Sequence, residues 1–172
     1  MNEVLFFKIY SLAGQCVWLD RVAIFFAVYS GYILGGIVVA LYLYNRKKNK
    51  SMFFEAVIGA VLARFGITQL IRFLYHHPRP FEAISSVKNL IPESGSSFPS
   101  GHASFFFALS TIVWLYNRKL GWVFYGVSII MGIARVFVGV HWSADILSGI
   151  FVGVLVALAT HYFHKKFFSK NT

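Results

Sequence analysis

Charge is what this chain has least of. Charged residues make up 13% of its 172 positions, against roughly 25% in a soluble domain, and that shortage excludes an ordinary water-soluble globule. Cysteine occurs once, and Cys16 by itself closes no internal disulfide. Acids are scarce as well: Glu3, Asp20, Glu55, Glu82, Glu93 and Asp145 are too scattered for a paired-carboxylate magnesium site. No metal and no other cofactor is expected. The neighbouring His76 and His77 would point about 100° apart on a helix, so they read as loop or interface residues. No Pro/Ser/Gly-rich linker and no internal repeat divides the chain, which predicts one domain over 1–172. Glu3 stands where a secretory signal needs a cationic start, and Gln15, just before Cys16, where a lipoprotein signal needs a small residue; neither signal is expected.

What the chain has is apolar length, with 58% hydrophobic and 19% aromatic residues. A spanning helix needs about 20 mostly apolar residues. Five segments meet that need: Val22 to Tyr44, Met52 to Tyr75, Phe98 to Tyr116, Trp122 to Val140 and Trp142 to Phe163. The predicted fold class is therefore all-α, a polytopic membrane helix bundle. Residues 1–20 are interrupted by Lys8 and short for a span, so they read as an amphipathic helix in the outer interface. Arg46, Lys47, Lys48 and Lys50, then Arg118 and Lys119, then Lys165, Lys166 and Lys170 fall in alternate connections, which the positive-inside rule makes cytoplasmic. The cations flank spans, so membrane lipids are the expected partner and nucleic acid is not. The stretch from His76 to Ser97 and the turn at His141 then face outward. A connection as long as the first of these is a functional loop.

Ionisable residues inside spans mark function, because an unpaired charge there costs several kcal/mol. At about 1.5 Å per residue, Arg72 lies about 5 Å from the outer end of the second span and Arg135 about 8 Å from that of the fourth; Asp145 is about 5 Å below the start of the fifth. His141 and Asp145 are four apart at a helix start, so the carboxylate can reach the imidazole and fix its tautomer, as a nucleophilic or basic His requires. Asp145 alone would also suit a first helical turn; three nearby arginines favour the pairing. Arg72, Arg79 and Arg135 offer planar forks that bind phosphate and stabilise charge on its oxygens during transfer. Snorkelling would account for Arg72 taken singly. Pro99-Ser100-Gly101-His102 reads as a helix start whose free N–H groups favour an anion, with Gly101 allowing close approach, Ser100 adding a hydroxyl and His102 placed to donate a proton. Gly149 and Gly153 suit close helix packing within the bundle. Arg64 sits near mid-membrane, either facing a hydrated cavity below the site or paired with Glu55 through a bend.

Arg72-x6-Arg79-Pro80, Pro99-Ser100-Gly101-His102 and Arg135-x5-His141-x3-Asp145 resemble, in order and spacing, the three signature motifs of the phosphatidic acid phosphatase type 2 superfamily, which also includes soluble vanadium haloperoxidases. The resemblance covers residues 72–145. It implies a ping-pong phosphatase in which His141 attacks phosphorus, Asp145 orients it, and His102 protonates the leaving group and then activates water. Arg72, Arg79, Arg135, Ser100 and Gly101 would hold the phosphate. Two positions depart from the pattern: Arg72 replaces the usual Lys, keeping charge on a larger fork, and Ala134 replaces the usual Ser, removing a hydroxyl.

An outward site bordered by membrane suits a lipid phosphate. The small size, the interfacial start and His77-Pro78-Arg79-Pro80-Phe81 look similar to bacterial undecaprenyl-diphosphate phosphatases, which implies a cell-membrane enzyme active on its extracytoplasmic side. Phosphatidylglycerophosphate, phosphatidate and lipid A phosphatases share the motifs. Readings of another class are an anion transporter, which needs charge along a continuous route, and an inactive lipid-binding scaffold.

Overall fold

The computed structural model describes residues 2–168, and every regular element among them is helical. Helix α1 (Asn2–Tyr10) has nine residues, too few to cross a bilayer. It lies against the end of the bundle: Phe6 is fully buried, its ring 5.1 Å from that of Trp142, and Asn2 Oδ1 accepts from Ala144 N at 3.0 Å.

The first predicted span is not one straight helix. It begins five residues early and divides into α2 (Val17–Val28) and α3 (Ser30–Tyr44), bent by 44°. Ser30 Oγ bonds back to Phe26 O at 2.6 Å, a contact that competes with the helical ladder at the bend. Gly31 follows at once, where a Cβ would lie 2.2 Å from the Phe106 ring. Asp20 and Arg21 sit inside α2, and because they are charged, sequence reading places the boundary after them.

The second span is a continuous 29-residue helix, Arg46–Leu74, made of α4 (Arg46–Val61), a π-helical stretch over Leu62–Ile67 and α5 (Thr68–Leu74). Its start is capped by Asn45 Oδ1, which accepts from Lys48 N at 3.0 Å, so the lysines form its first turns rather than a loop. Helix α6 (Pro80–Ala83) is a single turn in the long connection, with Pro80 first and Glu82 accepting from Arg79 N at 2.9 Å. Then come α7 (Gly101–Tyr116), α8 (Arg118–Phe137) and α9 (Ser143–Phe168).

Among the described residues three helices, at 46–74, 118–137 and 143–167, are long and apolar enough to span, and the bent α2–α3 pair makes up to four. Helix α7 has 16 residues, about 24 Å of rise, and falls short of the roughly 30 Å core on length. It is instead the central post, buried from Phe106 through Val113 and packed on α4, α8 and α9. Small residues permit that. A Cβ on Gly149 would lie 2.6 Å from Ser100 O, and one on Gly153 would lie 2.4 Å from Ser104 O, so α9 meets α7 backbone to backbone. Hydroxyls then join the helices: Thr68 Oγ1 donates to Ser104 Oγ at 2.9 Å, and Ser110 and Ser128 share a bond of 3.0 Å, each contributing about 0.6 kcal/mol in a membrane interior.

The far end is held by Glu55, which accepts from Tyr116 Oη at 2.5 Å and pairs with His161 Nδ1 at 2.7 Å and His164 Nε2 at 3.5 Å. Glu55 is thereby spoken for. The pairing of Arg64 with Glu55 through a bend is corrected: the π-helical stretch turns Arg64 toward α7 instead. Outward-facing Leu147, Phe151, Leu155, Leu158 and Phe163 on α9 form the exposed apolar face that a bilayer covers.

Candidate active site

Three elements converge at the end of the bundle opposite Glu55. The long helix brings Arg64, Thr68 and Arg72 against the start of α7: a Cβ built on Gly101 would meet Arg64 Cγ at 3.7 Å, Thr68 Cγ2 at 3.8 Å and Arg72 Nη2 at 3.8 Å. Residues four apart drift about 40° around a regular α-helix. The wider π-helical turn offsets part of that drift and keeps all three on the α7 side.

Backbone carbonyls hold the arginines. Arg72 donates from Nε and Nη2 to Pro99 O, at 3.2 and 2.9 Å. Arg79, 1% exposed, donates to Gly95 O at 2.9 Å, Val140 O at 2.8 Å and Ser94 O at 3.0 Å, with Glu93 at 3.7 Å. Arg135, equally buried, donates to Ala27 O at 3.2 Å and pairs with Glu93, while its Nε has no hydrogen-bond partner among the described residues. Burial draws the Arg79 guanidinium below its usual value and the Glu93, Glu82 and Asp145 carboxylates oppose the shift. Arginine starts so high that it stays cationic.

Gly139, at φ +79°, turns the chain out of α8, a conformation for which glycine is the default residue. The turn delivers His141 to the bundle. Its Nδ1 faces Asp145 Oδ2 at 3.4 Å and Ser97 Oγ at 3.3 Å; Asp145 Oδ2 also accepts from Ser97 Oγ at 2.5 Å and from Trp142 N at 2.8 Å. With Nδ1 so occupied, Nε2 is the nitrogen on the opposite edge of the ring. Burial, then the positive Arg135 and Arg79, hold His141 well below the usual imidazole range. The shift favours the neutral ring.

Helix α7 starts at this point. Ser100 Oγ accepts from Ala103 N at 3.4 Å as its cap, and Ser100 N donates to Asp145 O at 3.0 Å, tying α7 to α9. His102 follows in the first turn. A cavity of about 60 Å³ is lined by Arg64, Phe65, Gln69, Arg72, Arg79, Glu93, Gly101, His102 and His141. That is several times the roughly 10–15 Å³ one water needs, room for a tetrahedral oxyanion.

Of the residues expected from sequence, Arg72, Arg79, Gly101, His102 and His141 line this cavity, whereas Asp145, Ser100 and Arg135 stand behind it. Asp145 supports His141, Ser100 caps α7, and Arg135 backs Glu93. Sequence reading missed Glu93 and Ser97, which the loop's path alone brings in, and Gln69, which carries no signal in a span. Arg64 had one, its charge at mid-membrane. No group of three or more His, Cys, Asp or Glu residues that could hold a metal occurs among the described residues.

Known proteins share this architecture. The crystal structure of Aquifex aeolicus LpxE superposes with a TM-score of 0.78 over 94% of this chain and 94% of its own, at 22% identity. A PAP2-type phosphatidylglycerolphosphate phosphatase from Bacillus subtilis gives 0.67 over 96% and 85%, at 19% identity. In sequence, the Bacillus licheniformis protein named bacitracin transport permease protein BcrC is 33% identical over 92% of this chain and 78% of its own length. Undecaprenyl-diphosphatase BcrC of Bacillus subtilis is 31% identical over 91% and 80%. Residues 53–169, which carry every arginine and histidine of the cavity, match the PAP2 superfamily, and the chain belongs to that family.

Proposed function

We propose that this protein is a multi-pass membrane lipid phosphatase that hydrolyses undecaprenyl diphosphate to undecaprenyl phosphate through a phosphohistidine, without a metal. The observation that carries the reading is an imidazole oriented by Asp145 and Ser97 on the wall of an arginine-lined cavity of about 60 Å³. His141 Nε2 attacks the terminal phosphorus, forming an N–P bond as the bond to the bridging oxygen breaks. His102 gives its proton to that oxygen, and the lipid monophosphate leaves. Water then attacks the phosphohistidine, His102 takes the water's proton, and inorganic phosphate departs with His141 restored. Arg72, Arg79 and Arg135 supply the positive field a metal ion provides elsewhere.

Five passes fit this reading, with the bent α2–α3 pair as one and the short central α7 as another. The basic starts of α4 and α8 and the basic end of α9 lie on the cytoplasmic side, and the cavity opens on the extracytoplasmic side of the cell membrane. The substrate preference rests on similarity to proteins named undecaprenyl-diphosphatase.

The permease name of one relative raises transport as a second reading. Transport needs charged groups along a continuous route through the bundle, whereas Arg72, Arg79, Glu93, His102 and His141 gather at one cavity. Purified protein in detergent with EDTA, offered undecaprenyl diphosphate, phosphatidylglycerophosphate, phosphatidate and lipid A, separates the readings. The expected result is phosphate release, fastest from undecaprenyl diphosphate, and none from His141→Ala. Release that EDTA abolishes, or that survives His141→Ala, defeats the mechanism.

A further inference from the structure

Arg64 belongs to none of the three motifs, yet it lines the phosphate cavity beside His102 and His141. Its environment differs from that of the other arginines. Arg72, Arg79 and Arg135 are all held by backbone carbonyls. No hydrogen bond or ion pair engages the Arg64 guanidinium among the described residues; its neighbour is the Phe65 ring, 5.4 Å from Cζ. Ten residues, about 15 Å of helix, separate it from Leu74, too far to snorkel to the near headgroups. A cation with no hydrogen bond or ion pair, on a cavity wall it shares with Glu93 and that a π-helical stretch turns inward, has donors to offer an anion.

A second cavity lies beside it. A groove of about 500 Å³ has a floor of Gly31, Gly35 and Gly36 on α3 and walls that include Phe105 and Phe106 on α7. It shares Arg64, Phe65 and His102 with the phosphate cavity. The side chains of Arg64, Phe65 and His102 are therefore the common wall of the two spaces. Bare glycines and aromatic rings suit a hydrocarbon chain, while the inner cavity suits a phosphate. A substrate lying through both places its terminal phosphate by His141, its bridging oxygen by His102 and its next group by Arg64.

We propose that Arg64 binds the chain-side phosphate of a lipid diphosphate, so that it selects diphosphates over monophosphates. This rests on the phosphatase reading above. A lipid monophosphate fills the terminal position and leaves Arg64 unmatched; a diphosphate engages it through charge-assisted hydrogen bonds. The groove takes the first part of the chain, and the remainder stays in the bilayer.

The test compares inhibition of the wild type and of Arg64→Gln by inorganic phosphate, which fills one position, and by methylenebisphosphonate, a non-hydrolysable diphosphate that fills both. Arg64→Gln is expected to weaken bisphosphonate about 10- to 100-fold, the size of lost hydrogen bonds to a charged group, and phosphate less than about 3-fold. kcat/KM for farnesyl diphosphate should fall in parallel with the bisphosphonate constant, with Arg64→Lys between the two. Equal weakening of both inhibitors, or of neither, overturns the assignment. Failure of the underlying reading is seen separately, as wild type that releases no phosphate from any lipid diphosphate; the two inhibition constants, read as ligand-induced thermal shifts, then still report on Arg64.

Discussion

Replacing Gly149 with alanine tests whether catalysis depends on the close approach of α9 to α7. A Cβ at that position would lie 2.6 Å from Ser100 O, 2.7 Å from Ala103 Cβ and 3.2 Å from Ser104 N. Two of these three atoms are backbone, so no side chain can swing aside. Restoring an ordinary 3.4 Å contact requires the helices to part by about 0.8 Å. The cost in stability is that of an overpacked core, about 1–3 kcal/mol, or roughly 2–12 °C in melting temperature for a chain of this length. The larger consequence is geometric. Asp145 and His141 move with α9 while His102 moves with α7, and the bond from Ser100 N to Asp145 O, now 3.0 Å, is the tie between them. A displacement near 1 Å between reacting groups costs on the order of 100-fold in rate, so kcat is expected to fall about 10- to 100-fold. The assay is phosphate release by detergent-purified protein well below the melting point, with Gly126→Ala as control, since a Cβ there meets nothing within 4 Å. A Gly149→Ala enzyme with wild-type kcat, whatever its stability, would refute the reasoning.

Asp145→Asn keeps the shape but removes the charge that supports a positive His141, and should lower kcat by about 100-fold or more with little change in KM; equal losses in kcat and in phosphate affinity would contradict this. Because His141 is held below the usual imidazole range, it stays unprotonated at and below neutral pH, and the acid limb of kcat/KM, corrected for substrate ionisation, should lie well under pH 6.5. The same shift means the unfolded chain binds a proton that the folded chain refuses. The His141 contribution to stability is therefore complete above the unfolded value of about 6.5 and declines as pH falls below it, a slope that His141→Ala should reduce in melting curves between about pH 4 and 7. Glu93→Gln removes the carboxylate shared by Arg79 and Arg135; the ligand-free protein should lose about 1–3 kcal/mol, less than a fully buried pair because Glu93 is 25% exposed, while inorganic phosphate should stabilise the variant more than the wild type. A variant that phosphate stabilises less would show that Glu93 positions the arginines and does not compete with the substrate.

The grouping of the candidate residues was legible wherever it depended on residue type at short spacing. His141 and Asp145, or Ser100 through His102, are set by one turn of chain, and one turn can be read from sequence. Three features were not. The bend at Tyr29–Ser30 lies inside an unbroken apolar run, and hydropathy registers length but not direction. The facing of Arg64 depends on a π-helical stretch, and a count at 3.6 residues per turn cannot place it. Ser97 and Glu93 reach the site from the irregular connection between α5 and α7, whose path follows from Arg79 gathering the carbonyls of Ser94, Gly95 and Val140. Those are long-range contacts, with no local periodicity to announce them.

The manner in which the arginines are held bears on why the site turns over. Guanidinium groups this buried need partners, and carboxylates would serve, but a pocket of closed ion pairs has no residual charge to offer a phosphate. Carbonyl oxygens solve the problem differently. Pro99, Ser94, Gly95, Val140 and Ala27 satisfy donors and fix each fork without cancelling its charge. Asp145 is turned to His141, Ser97 and the Trp142 amide, which leaves Glu93 as the acid on the cavity wall. The cavity therefore keeps net positive charge at fixed positions before any substrate arrives. Such charge needs no reorganisation as negative charge spreads over the phosphoryl oxygens in transfer, the condition under which electrostatics lowers a barrier most.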